Sequence, residues 1–186
     1  MKKIIIAIIV FGAIGGGIYY FRASLFKPIV YKSQGSGATQ EAIAEISSYQ
    51  YTETYTNPNY KFSFKYPKEF KISEMPDVSG GTAILVQNIA KDLGVQILIT
   101  PFEDVDFDLT ADLIRQDIPD MKISEPQEVI IGSSRKGLAF VSDNEAFGGK
   151  SREVWFIYGG NLYQISTYSE LDGLLKGIFG TWQFTK

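Results

Sequence analysis

The sequence predicts an α+β protein built on an antiparallel sheet, and three observations carry that expectation. From residue 51 onward, apolar side chains recur at every second position in short runs, the period of half-buried strands. Turns rich in Gly and Asn separate these runs closely enough for neighbours to join as hairpins. Only two stretches in that region switch to the helical period, and they do not alternate with the strands one for one, so a parallel βαβ arrangement is disfavoured.

The elements follow in chain order. Met1-Lys2-Lys3 precedes an uncharged run from Ile4 to Phe21, which at 1.5 Å per residue makes about 27 Å of helix, close to one bilayer core. Leu25 and Phe26 lengthen it by a turn, Arg22 reaches toward headgroups, and Tyr19, Tyr20 and Phe21 supply an interfacial belt. Residues 1–26 therefore read as an uncleaved transmembrane anchor, with residues 4–21 in the membrane. A cleaved signal peptide competes with this: Lys2 and Lys3 form its n-region, Ile4 to Phe11 a short h-region and Ala13-Ile14-Gly15 a weak cleavage site. Lys2 and Lys3 on one flank face Arg22, Lys27 and Lys32 on the other, so charge alone does not orient the span. A very short N-terminal flank behaves as a signal anchor, which puts the C-terminal part outside the cytoplasm. Gly12 and Gly16 match G-x-x-x-G, but Gly15 and Gly17 lie beside them, and chance accounts for the spacing.

Residues 27–50 read as a linker and a short helix. Ser33 to Thr39 is Gly/Ser-rich, and Thr39 caps a helix through Tyr49 that sets Ala42, Ile43 and Ile46 on one face. Residues 51–186 form the folded domain. Its expected strands are Tyr51 to Thr56, Tyr60 to Tyr66, Phe70 to Met75, Thr82 to Asn88, Val95 to Phe102, Glu128 to Ile131, Lys136 to Ser142, Arg152 to Tyr158 and Leu162 to Tyr168. Its expected helices run from Thr110 to Ile118 and from Leu171 to Phe179, the latter apolar at Leu171, Leu174, Leu175 and Ile178.

Two stretches resemble a known family. Asn57-Pro58-Asn59-Tyr60-Lys61-Phe62-Ser63-Phe64-Lys65-Tyr66-Pro67-Lys68-Glu69-Phe70 is similar to the Y-x-F-x-F-x-Y-P opening of PsbP-like domains. Gly160-Asn161-Leu162-Tyr163-Gln164-Ile165, followed by a helix and Thr181-Trp182-Gln183-Phe184, is similar to their close. The resemblance covers about Tyr51 to Phe184. It implies a central antiparallel sheet flanked by helices, an α/β/α sandwich, and a role as a binding subunit. No partner-binding signature of the family transfers residue by residue.

Composition excludes much chemistry. The 186 residues contain no Cys and no His, which removes thiolate nucleophiles, disulfides, imidazole bases and the usual zinc ligands. The five basic residues before position 33 have no acidic counterpart, leaving 13 basic against 21 acidic residues and a balance of −8 in the rest. That surface repels nucleic acid and anionic lipid.

Several motifs approach a site without completing one. Phe147-Gly148-Gly149-Lys150-Ser151 resembles the end of a phosphate loop, but Asn144 stands where its first glycine belongs and a strand follows. Ser133-Ser134-Arg135-Lys136 satisfies S-x-x-K and Ser142-Asp143-Asn144 satisfies S-D-N, without a Lys-Thr-Gly and within a strand–turn–strand context. Asp104, Asp106 and Asp108 form an alternating acidic patch suited to a hard cation or a basic partner, yet Leu109 and Arg115 occupy the calcium-loop positions that need Gly and Glu. Tyr51, Tyr55 and Tyr168 are candidates for a shallow aromatic groove. The expected function is a membrane-anchored extracytoplasmic binding or accessory module, non-catalytic, without cofactor or metal, with an unidentified protein partner and no nucleic acid. A small hydrolase using carboxylates or a Ser/Lys pair, and a structural subunit assembling through its N-terminal helix, are the alternatives.

Overall fold

The computed structural model describes residues 44–77, 80–102, 108–143 and 149–185. Among them are β1 (Glu53–Asn57), β2 (Phe62–Tyr66), β3 (Lys71–Pro76), β4 (Thr82–Asn88), β5 (Leu93–Pro101), α1 (Ala111–Asp117), β6 (Ser124–Ile131), β7 (Arg135–Ser142), β8 (Ser151–Tyr158), β9 (Asn161–Tyr168), α2 (Asp172–Phe179) and β10 (Gln183–Phe184). Every strand pair is antiparallel: a three-stranded sheet, β1-β2-β10, packs on a seven-stranded one ordered β3-β4-β5-β9-β8-β7-β6. Residues 4–21, read as a membrane span, lie outside the described residues, and among the latter no helix is long and apolar enough to cross a membrane.

Alternation along the strands gives the large sheet two unlike faces. On the inner face, Ile84, Ile97, Ile165, Val154 and Ala139 stand side by side across five strands, and all are buried. The small sheet and α2 cover them. Phe62 and Phe64 of β2 point inward, and Trp182 stacks on them at centroid distances of 4.5 and 5.3 Å. Phe156 stacks on Tyr163 at 4.6 Å, and Leu174, Leu175 and Ile178 of α2 join the same cluster. Such pairs add about 0.5–1.5 kcal/mol each beyond burial.

Local chemistry holds the ends. The Asn57 side-chain oxygen accepts from the backbone N–H groups of Asn59 (3.1 Å) and Tyr60 (3.0 Å), closing the β1–β2 turn. The Asp172 carboxylate at the start of α2 meets Arg152 Nε at 3.1 Å and Lys176 Nζ at 2.6 Å, tying the helix to β8. Thr110 caps α1 by accepting from the Leu113 amide at 3.3 Å. Gly81 has to be glycine, since a Cβ there would sit 2.0 Å from the Ile99 carbonyl oxygen.

The inner face differs from a simple helix layer: a second sheet shares it with α2. On the outer face, α1 packs through Ile114 against Leu138, Phe140, Trp155, Ile157 and Leu162. The small sheet gains its third strand because the chain returns after α2, where Gln183 and Phe184 pair with Ser63 and Phe62. Two residues are too short a run to show a period. β6 begins at Ser124, earlier than the expected Glu128, because a bulge between Ser124 and Gln127 accommodates Pro126 on an edge strand. Of the helix expected from Thr39 through Tyr49, residues 44–46 are helical and residues 47–48 form a turn, while residues 39–43 lie outside the described residues.

Candidate functional site

The outer face of the seven-stranded sheet holds the least expected chemistry. One residue along from the aliphatic row, the strands align Leu85, Gln96, Ser166, Glu153 and Phe140. Glu153 is 1% exposed. A carboxylate stripped of water costs several kcal/mol unless donors replace it. Three donors do so here: Ser151 Oγ to Oε1 at 2.5 Å, Ser166 Oγ to Oε2 at 2.5 Å and Trp155 Nε1 to Oε2 at 3.1 Å. The period of two puts Ser151 and Trp155 on the face of Glu153 along β8, and the β8–β9 register brings Ser166 opposite. Charge-assisted bonds of this kind are about twice as strong as neutral ones. Ser151 is itself 0% exposed, so neither group meets a solute, and the cluster locks β8 to β9 rather than presenting a base and nucleophile.

Away from α1, the same face opens to solvent. Leu85 and Gln87 of β4, Gln96 and Leu98 of β5, and Met75 of β3 are half-buried. Leu85 lies opposite Gln96, and Ala83 lies between Leu98 and Met75. Met75, Leu85 and Leu98 belong to neither of the two core clusters among the described residues. A one-sided antiparallel sheet normally turns polar residues to water; here leucines and glutamines alternate on a rigid plane.

The residues singled out in the sequence are scattered. Asp104 and Asp106 lie outside the described residues. Asp108 is exposed, with its oxygens 3.8 Å from Arg135 Nη2 and 3.9 Å from Lys136 Nζ. Ser133 and Ser134 are exposed in the β6–β7 turn, and Lys136 also meets Glu128 at 3.4 Å. Lys150 is exposed immediately before β8, and Asp143 pairs with Lys122 at 2.7 Å, which lowers the carboxyl from its ordinary range. Tyr51 donates to the Leu174 carbonyl at 3.3 Å. Tyr55 donates to Glu74 Oε1 at 2.7 Å and accepts from Asn57 Nδ2 at 2.8 Å. Burial, then the Glu74 hydrogen bond, raises the Tyr55 phenol, and burial raises those of Tyr51 and Tyr163. Tyr51 and Tyr55 are thus tied into the structure by their hydroxyls. Tyr168, at the end of β9, is half-buried.

In the sequence neither Glu153 nor Ser166 is marked, and Ser151 stands only as the last residue of the phosphate-loop-like motif. The available signal was a carboxylate immediately before Val154-Trp155-Phe156-Ile157, a run apolar on both strand faces, where an ionisable group has to find buried donors.

No protein-family model matches the chain, and no curated protein matches it. Among solved structures, it is similar to the solution structure of cyanobacterial PsbP (CyanoP) from Synechocystis sp. PCC 6803, with a TM-score of 0.47 and 9% identity over 71% of this chain and 91% of that one. That is the family the sequence resemblance named. A likeness at this level bears on neither partner nor activity.

Proposed function

We propose that the chain is a membrane-anchored, extracytoplasmic accessory module, non-catalytic, that binds a protein partner through the open part of its outer sheet face. The observation that carries this is the half-exposed set Met75, Leu85 and Leu98, interleaved with Gln87 and Gln96 on a sheet whose other face is packed over its five central strands. Apolar anchors among hydrogen-bonding side chains are the composition of a protein interface core and rim. The acidic balance of −8 after residue 32 disfavours nucleic acid as the partner. Anchoring rests on the uncharged run Ile4 to Phe21.

Membrane solubilisation followed by affinity capture tests the binding face. The intact chain should retain a partner that the Leu85→Asp, Leu98→Asp double variant loses. Equal recovery by both would remove the outer face as the binding surface. Protease added to intact cells should cleave the domain, whereas cleavage only from the cytosolic side would reverse the orientation.

A further inference from the structure

The point where the described chain begins lies beside an exposed apolar side chain. Residues 44–46 are helical, and Glu45 makes an ion pair with Lys91 of the β4–β5 turn. That turn, Ile89–Lys91, carries Ile89, which at 70% exposure is the more open of two exposed large hydrophobics among the described residues. The other, Ile130, is 56% exposed on the edge strand β6, at the opposite margin of the large sheet from β3 and β4. Asp92, with φ at 60°, closes the turn and leaves Ile89 and Ala90 facing out.

Seventeen residues separate Phe26, the end of the proposed span, from Ala44. Seventeen residues span at most about 60 Å even when fully extended, so Ala44 and the turn paired to its neighbour are tethered to the bilayer. At so high an effective concentration even a weak contact is populated. The charges around the turn do not select an anionic surface: Lys68, Lys71 and Lys91 are offset by Glu45, Glu69 and Asp92.

We infer that the β4–β5 turn is a lipid contact, with Ile89 dipping into the bilayer interface and holding the module with this end toward the membrane. The inference rests on the anchored reading above. It leaves the outer face of β3, β4 and β5 standing beside the membrane and open to a partner.

The chain has no cysteine, so Ile89→Cys, Ile130→Cys and Ala13→Cys each give one labelling site in the full-length protein. An environment-sensitive fluorophore is read in phosphatidylcholine proteoliposomes, with and without anionic lipid, using aqueous iodide as quencher. The expected result is a blue-shifted, quencher-protected label at 89 and a solvent-like one at 130, in both lipid mixtures. With the label at 13 protected, equal exposure at 89 and 130 overturns the contact and leaves the anchor standing. Protection at 89 only with anionic lipid overturns the apolar contact. Exposure at 13 overturns the anchor and the contact together.

Discussion

The two faces of the seven-stranded sheet are made by the same strands in the same register, one residue apart, and they have opposite characters. The inner row from Ile84 to Ala139 is entirely aliphatic and closed under aromatic rings. The outer row from Leu85 to Phe140 passes through Gln96, Ser166 and Glu153. A strand fixes which side each residue faces but says nothing about what covers it. The inner face is finished by the chain's own small sheet and α2, whereas among the described residues α1 covers the outer face over its β7–β8 side. The larger buried cluster therefore lies on one side, while the other carries a smaller core and the half-exposed surface proposed above for binding.

The sharpest way to break that contrast is at Trp182. Trp182→Ala removes the ring stacked on Phe62 and Phe64 and should cost about 3–5 kcal/mol in denaturant unfolding. On the outer face, Glu153→Ala strands two hydroxyls and an indole N–H that now have a buried acceptor, and should cost about 2–3 kcal/mol. Glu153→Gln keeps an acceptor oxygen and should cost about 1 kcal/mol. If Glu153→Ala were neutral, the cluster would not be the outer face's structural pin.

Alkaline pH probes the inner side. Tyr49, Tyr51, Tyr55 and Tyr163 all have phenols raised above 10.0, by burial first in each case. Above that pH, the unfolded chain releases protons that the folded one keeps, so the unfolding midpoint should fall as pH rises through the folded values, its full stability being present below about pH 10. Tyr55→Phe and Tyr163→Phe should each flatten the fall. The smallest stability effect belongs to the open outer surface: Leu98→Asp should change unfolding free energy by under about 1 kcal/mol, the range of a half-exposed site, while removing the bound partner.

Much of this fold was legible. Thr82 to Asn88 is bounded by Gly81 and the Ile89–Lys91 turn, and its strand spans the expected residues. The sequence leaves Asp108 and Thr110 both open as the cap of this helix, and the structure places Thr110 there. Two things were not legible. β10 is two residues whose strand character comes only from Phe62 and Ser63 across the register, and the start of β6 hides behind Pro126 and a positive φ at Glu125. The site was less legible still. Glu153 acquires its meaning from Ser166, thirteen residues away and placed opposite by pairing, and Leu85 looks like any core leucine until the neighbouring strands show which face is left open.

Site-specific photocrosslinking in native membranes tests the division between the faces most directly. A photoreactive residue at Leu98 should trap a partner protein in a discrete adduct, while one at the exposed Thr54 on the small sheet should trap none. An adduct formed at Thr54 with none at Leu98 would contradict the account.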